Sequence, residues 1–301
     1  MPRLAPGDVR ALLSYPARVN HELAPAANAP PRQRGSGHVA FERAGAATVL
    51  RAARAESTLR LLTPRNHGQG AWVFAATFGG GLVDGDTVRL DLTLGEGSTG
   101  LVGTQASTKV YRCPTGSCRQ DLTATVQPDA LLVLVPDPVV CFADARYEQT
   151  IHVDLAEGAS LVLLDTFTAG RSARGERWQF ARYASRVVVT RGGAPFVNDA
   201  TILDPAHGAL APRLGRFDAV ATILLVGPRA RGLRDAAIAG APSPARAADL
   251  AFAVSPLGDA GALIRVAGTS VEAVTTRARD ALSGLAGLAT ILGDDPFARK
   301  W

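Results

Sequence analysis

The chain has 301 residues and a mass of 31.3 kDa, with 47% hydrophobic and 20% charged residues. That length and apolar fraction supply a packed core and exclude a disordered or fibrous chain. The net charge of +5 and pI near 9.5 would admit a nucleic-acid or acidic partner, yet Lys occurs only at Lys109 and Lys300, and an Arg- and Ala-rich bias of this kind reads as a composition effect rather than a binding surface.

The start of the chain lacks the charged, apolar and cleavage regions of a signal peptide, and the longest apolar runs, such as Ala219 to Val226, fall short of the roughly 18 residues of a membrane span. Three cysteines, Cys113, Cys118 and Cys141, are too few for a disulfide framework. A cytoplasmic protein is expected.

Residues 1–36 are rich in Pro and Ala, and Pro25, Pro30 and Pro31 interrupt any helix, so a poorly ordered arm is expected there. Residues 37–301 read as a single domain. Thr48 to Leu62 alternates loosely between apolar and polar. Thr87 to Leu94 alternates cleanly, with Val88, Leu90, Leu92 and Leu94 on one face and Arg89, Asp91 and Thr93 on the other, the pattern of an antiparallel strand with one side in the core. A repeat follows. Asp91 to Gln105, Ala124 to Pro138 and His152 to Thr166 each read strand, short turn, strand, with turns at Gly95 to Gly97, Gln127 to Asp129 and Glu157 to Gly158. A period of about 30 residues marks stacked supersecondary units. The expected fold is mainly β: stacked antiparallel sheets built from repeated hairpins, with one or two C-terminal helices. Further strands are expected at Trp178 to Thr190, Ala219 to Val226 and Leu263 to Val266, and a helical pattern at Arg229 to Ala239. Ser270 caps a helix reaching Leu288, with Val271, Val274, Ala278, Leu282 and Leu285 as its apolar stripe.

Candidate chemistry gathers in four blocks. The first, Gly79, Gly80 and Gly81 followed by Leu-Val-Asp-Gly-Asp, lacks the Gly-Lys-Ser/Thr of a phosphate loop and leads into a strand. It reads either as a sharp turn or, because Asp84 and Asp86 would project to one side of an extended chain, as paired carboxylates for a divalent ion or a proton relay. The second, Thr-Gln-Ala-Ser-Thr-Lys-Val-Tyr ending at Tyr111, surrounds Lys109 with hydroxyl groups. A hydrolase using Lys109 with Ser107 or Thr108 is one reading, and a buried polar network pairing Lys109 with an Asp is the other. The third is Pro136 to Tyr147. The fourth, Gly170 to Glu176, presents Arg171 and Glu176 on a tight loop, where they could simply pair at the surface. The five His are scattered, and Cys113 and Cys118 lack a second pair, so a closed zinc site is not expected; nor is there any nucleic-acid motif.

Taken in order, these four blocks resemble the urease accessory protein D family, called H in some organisms. The resemblance spans Gly37 to Tyr183, continues weakly through the final helix and leaves out the first 36 residues. It implies a mainly β fold and a protein that is not an enzyme. It further implies a complex with the F and G accessory proteins and apo-urease that assists nickel insertion, with G supplying GTP hydrolysis and nickel. No tightly bound cofactor is implied, nickel being handled transiently, and neither nucleic acid nor membrane is a partner. An internal passage for nickel is part of what the resemblance implies. Asp84, Asp86 and Glu176 are its candidate metal contacts, with Thr108 beside them and Lys109 in a structural or gating role. Gly79, Gly80, Gly81, Tyr111 and Arg171 shape the surrounding loops. His67 has no clear counterpart in the family and reads as an exposed loop histidine. The alternatives outside the family are the Ser/Lys hydrolase and a nickel-independent β-scaffold interaction protein.

Overall fold

The computed structural model describes residues 34–241, 248–283 and 289–297. In chain order the strands are β1 (Arg34–Ala44), β2 (Ala47–Glu56), β3 (Leu59–Leu62), β4 (Ala71–Thr77), β5 (Thr87–Leu94), β6 (Thr99–Thr104), β7 (Thr108–Val110), β8 (Cys118–Val126), β9 (Leu131–Val135), β10 (Val139–Cys141), β11 (Arg146–Leu155), β12 (Ser160–Thr168), β13 (Gly170–Arg171), β14 (Glu176–Arg177), β15 (Arg182–Arg191), β16 (Ala194–Leu203), β17 (Ala219–Val226), β18 (Leu250–Leu257) and β19 (Gly261–Gly268). The helices are α1 (Leu210–Leu214), α2 (Arg231–Ala239), α3 (Val271–Ala281) and α4 (Ala289–Leu292). None of the helices described is long and apolar enough to cross a membrane. The expected Pro/Ala arm lies outside the described residues except for Arg34 to Ser36, which instead open β1.

Two large sheets face each other. One has the order β16-β15-β11-β8-β5-β1-β2 and the other β18-β19-β17-β12-β9-β6-β4-β3, with β10 and β7 branching from β12. The three sequence repeats are the units of this stack, but they are not hairpins. In each copy the first strand (β5, β8 or β11) joins the first sheet, and the second strand (β6, β9 or β12) joins the other. Successive copies pair in parallel: Leu92 with Ala124 and Ala124 with Val153, then Leu101 with Val133 and Val133 with Val162. The chain therefore winds as a solenoid, and antiparallel strands close both ends, β2 and β16 on the first sheet and β3, β17, β19 and β18 on the second. The expectation of purely antiparallel hairpin sheets is corrected, including for β5, which pairs in parallel with both β1 and β8.

The burial pattern supplies the physical reason. Two strands of a hairpin share one sheet and the same two faces, so both should alternate alike. Here β5 and the outer half of β11 alternate, because one face meets water, whereas all five residues of β9 and all nine of β12 are buried. A strand buried on both faces reads as a continuous apolar run, which is the mark of a covered parallel sheet. The inner faces of the two sheets pack through Phe41, Leu92, Leu132, Leu161 and Val187 among others. The outer face of the second sheet is covered by α2, α3 and α4, where Leu131, Val133, Val162 and Ile223 meet Leu233, Val274 and Leu282.

The turns of the repeats stack as well. Gly97, Asp129 and Gly158 hold equivalent left-handed positions, with φ of 63°, 57° and 78°, and backbone bonds tie one turn to the next, Gly97 N–H to Pro128 O (3.0 Å) and Ser160 N–H to Ala130 O (2.9 Å). Ser270 caps α3 as expected, accepting a bond from Ala273 N–H at 3.0 Å. The helix ends at Ala281. Val274, Ala278 and Leu282 are buried, but Val271 is 38% exposed and drops out of the stripe, while Leu285 lies outside the described residues. β16 and β18, which the sequence pattern did not single out, supply edge strands of the two sheets.

Candidate functional site at the return connections

Each turn of the solenoid must come back from the second sheet to the first, and the four sequence blocks are these returns, piled side by side. Residues 78–86 lead from β4 to β5, β7 lies between β6 and β8, β10 between β9 and β11, and β13 and β14 between β12 and β15. They are joined rung to rung. Leu82 N–H donates to Lys109 O (2.8 Å), Tyr111 N–H to Leu82 O (2.9 Å) and Phe142 N–H to Val110 O (2.9 Å), and β7 pairs with β10 in parallel. Side chains continue the stack: the Tyr111 ring meets Phe142 edge-on at 5.1 Å, and the Arg171 guanidinium lies over Phe142 at 4.1 Å. Arg171 in turn grips Glu176, whose Oε2 takes the Arg171 Nε–H at 2.8 Å and Ala143 N–H at 3.2 Å. The guanidinium holds the Glu176 carboxyl below the usual carboxylate range.

Behind these returns, between the two sheets, lies a cavity of about 310 Å³. Thr108, Lys109 and Gly80 are at its wall together with Asp137 and Asp165; Asp121 also borders it, but its carboxylate pairs with Arg119 at 2.7 Å on the outer face of the first sheet. Asp165 is the deepest of these, 8% exposed on a strand otherwise made of apolar and hydroxyl residues. Ser185 Oγ–H donates to its Oδ2 (3.0 Å) and Gln149 Nε2–H to its Oδ1 (3.2 Å). Gln149 also reaches Ser185 Oγ (3.1 Å) and, through Oε1, the hydroxyl of Tyr147 (2.8 Å), which touches Gln120 as well. Burial raises the Asp165 carboxyl above its ordinary value, partly offset by the bonds from Gln149 and Ser185. Burial likewise lifts the Tyr147 and Tyr183 hydroxyls well above theirs. Tyr183 stacks on Phe167 at 4.6 Å and on Tyr147 at 5.8 Å, closing the polar cluster with an aromatic wall.

The candidates from sequence divide between these two places. Gly80, Thr108 and Lys109 line the cavity. Gly81, Tyr111, Arg171 and Glu176 build the stacked returns, and Gly79 sits on the open loop, where a Cβ would meet nothing. Asp84 and Asp86 flank a turn rather than lying on an extended strand. Gly85, with φ of +86°, breaks the extended backbone that would have aligned them. Asp84 instead accepts Thr115 N–H (2.9 Å) and Gly116 N–H (2.8 Å), while Asp86 folds back onto Val83 N–H (2.9 Å). Both carboxylates organise loops. The expected buried network around Lys109 is also corrected: its side chain is exposed, and among the described residues it forms no ion pair. His67 is exposed as expected, at a left-handed φ of 58° with Nδ1 3.2 Å from Asp294. Among the described residues no three His, Cys, Asp or Glu side chains are grouped so as to hold a metal ion.

A family model described as "UreD urease accessory protein" matches residues 33–301. The chain belongs to the UreD urease accessory protein family. The match extends the resemblance read from the sequence blocks to the C-terminal end of the chain. A urease accessory protein UreD of Sorangium cellulosum is 59% identical over 89% of this chain and 84% of its own length. One of Anaeromyxobacter is 42% identical over 88% and 89%, and a urease accessory protein D of Oryza sativa subsp. japonica is 34% identical over 73% and 71%. The family and these relatives are accessory proteins, not enzymes. The residues that sequence reading missed in this UreD chain are Gln120, Tyr147, Gln149, Asp165 and Ser185. A signal existed: Asp165 interrupts the run Ser-Leu-Val-Leu-Leu-Asp-Thr-Phe-Thr, and a lone carboxylate in a doubly buried strand must find partners inside.

Proposed function

We propose that the chain assists urease maturation as the subunit through which nickel, as cargo, passes between its F and G accessory partners and apo-urease in the cytoplasm. The observation that carries this reading is the cavity behind the stacked returns, whose lining offers oxygen groups that include Thr108, Asp137 and Asp165. A divalent ion leaving water needs replacement oxygens, and single carboxylates spaced along a path bind it weakly enough that it leaves again. Burial makes the Asp165 carboxyl harder to ionise, and an arriving cation favours its ionised form. Lys109, exposed beside the cavity wall, acts on access rather than on binding.

The test is co-expression with F, G and apo-urease, followed by pull-down and metal analysis of the urease. An Asp137→Ala, Asp165→Ala double variant should still co-purify with its partners while urease nickel falls several-fold. Normal nickel loading with that variant in the complex would exclude the passage, and failure of the wild-type chain to co-purify would exclude the partnership. A Ser/Lys hydrolase is not supported, because among the described residues no hydrogen bond joins Ser107 or Thr108 to Lys109.

A further inference from the structure

Cys113 and Cys118 bracket the loop Cys-Pro-Thr-Gly-Ser-Cys, and their sulfur atoms lie 3.5 Å apart. Both are buried, Cys113 at 3% exposure and Cys118 at none, although Arg112, Pro114 and Thr115 around them are exposed. Each thiol is held in place. Cys118 Sγ lies 3.1 Å from Val83 O, and Cys113 Sγ lies 3.3 Å from Tyr111 O. The loop they bracket is the one that offers Thr115 and Gly116 N–H to Asp84. Neither the nickel passage nor the stacked returns uses these sulfurs. A disulfide requires about 2.05 Å between sulfurs, so closing this pair asks for roughly 1.5 Å of movement by two side chains that already face each other.

We infer that Cys113 and Cys118 form an oxidisable dithiol site that takes hydrogen peroxide as its substrate and closes to an intramolecular disulfide, locking the loop that seats Asp84. In the first step the Cys113 sulfur attacks a peroxide oxygen. The O–O bond breaks, one water leaves and Cys113 becomes a sulfenic acid. In the second step the Cys118 sulfur attacks the Cys113 sulfur, the S–O bond breaks and a second water leaves with the remaining thiol proton. Two electrons pass from the dithiol to the peroxide. Cys113 is the attacking member, since the hydrogen bond from Cys118 lowers its thiol to about 7 and raises that of Cys118. Cys141 stays out of the reaction: it is buried on β10, and burial pushes its thiol well up.

The experiment uses the full chain, reduced, desalted and treated with equimolar hydrogen peroxide, then unfolded and alkylated. The expected monomer is lighter by about 2 Da before alkylation, two of its three thiols resist alkylation, and a cross-linked peptide joins Cys113 to Cys118. Dithiothreitol restores all three thiols, and Cys141→Ser shows the same loss of two. Amide exchange at Thr115 and Gly116 should slow in the oxidised chain. Full alkylation after peroxide, separate additions of about 16 or 32 Da, pairing with Cys141, or cross-linking between chains would overturn the site. Unchanged exchange at Thr115 and Gly116 in a chain shown to carry the disulfide would overturn the locking of the loop.

Discussion

Asp165 shows how one buried carboxyl is held at a cost to the fold. Its carboxyl is buried, its two strongest contacts are the neutral donors Gln149 and Ser185, and its proton is held more tightly in the native state than in the unfolded chain. A group raised on folding contributes stability while it keeps its proton and loses that contribution as pH climbs from the ordinary carboxylate range through the raised folded value. Asn keeps the shape and carries no charge. The urea midpoint of Asp165→Asn minus that of the parent should therefore increase as pH rises above the ordinary carboxylate range. A difference that does not change with pH would show that the carboxyl is ionised at no energetic penalty. Asp84 makes the contrasting case, because its oxygens are already committed to Thr115 and Gly116, so its loss should disturb the loop before it disturbs any ion.

At the scale of elements, the return connections are packed backbone against backbone, and this explains the adjacent glycines. Gly81 has an extended backbone, so its need is purely steric: a Cβ there would lie 2.6 Å from Lys109 O and 2.7 Å from the Tyr111 ring. Gly79 has open space but a φ of +79°. Two neighbouring glycines thus serve different purposes, and substitution separates them. Gly81→Ala should cost about 3 kcal/mol, since a rung carbonyl cannot rotate away, and Gly79→Ala about 1 kcal/mol, mostly recovered by Gly79→Asn, which tolerates the left-handed region. Urea unfolding of the three variants checks this order, and equal costs at the two positions would refute it.

The whole molecule is a short solenoid whose second sheet would be exposed on its outer face without the late helices. Leu282, fully buried at the end of α3, packs in the cluster that covers β9, β12 and β17. Leu282→Ala should lower stability by about 2–4 kcal/mol, whereas Val271→Ala on the same helix, 38% exposed, should stay within about 0.5 kcal/mol. Thermal or chemical unfolding of both variants tests whether α3 is part of the cooperative core.

By itself the sequence determined that the protein is mainly β, that three copies of a strand–turn–strand unit stack with a period near 30 residues, and that Ser270 begins a helix, because alternation, turn residues and capping are local properties of the chain. It also carried the four blocks that mark the family. Only the tertiary structure decided that the two strands of each unit lie in opposite sheets, since the turns read from sequence suit a hairpin and an arch alike and the choice rests on what covers each face. The same holds for the site. Alternation alone would put Asp84 and Asp86 on one side of an extended strand, but Gly85 makes the segment a turn; Asp165, Gln149 and Ser185 are 16 to 36 residues apart and meet only because parallel winding stacks successive turns of the chain on one another.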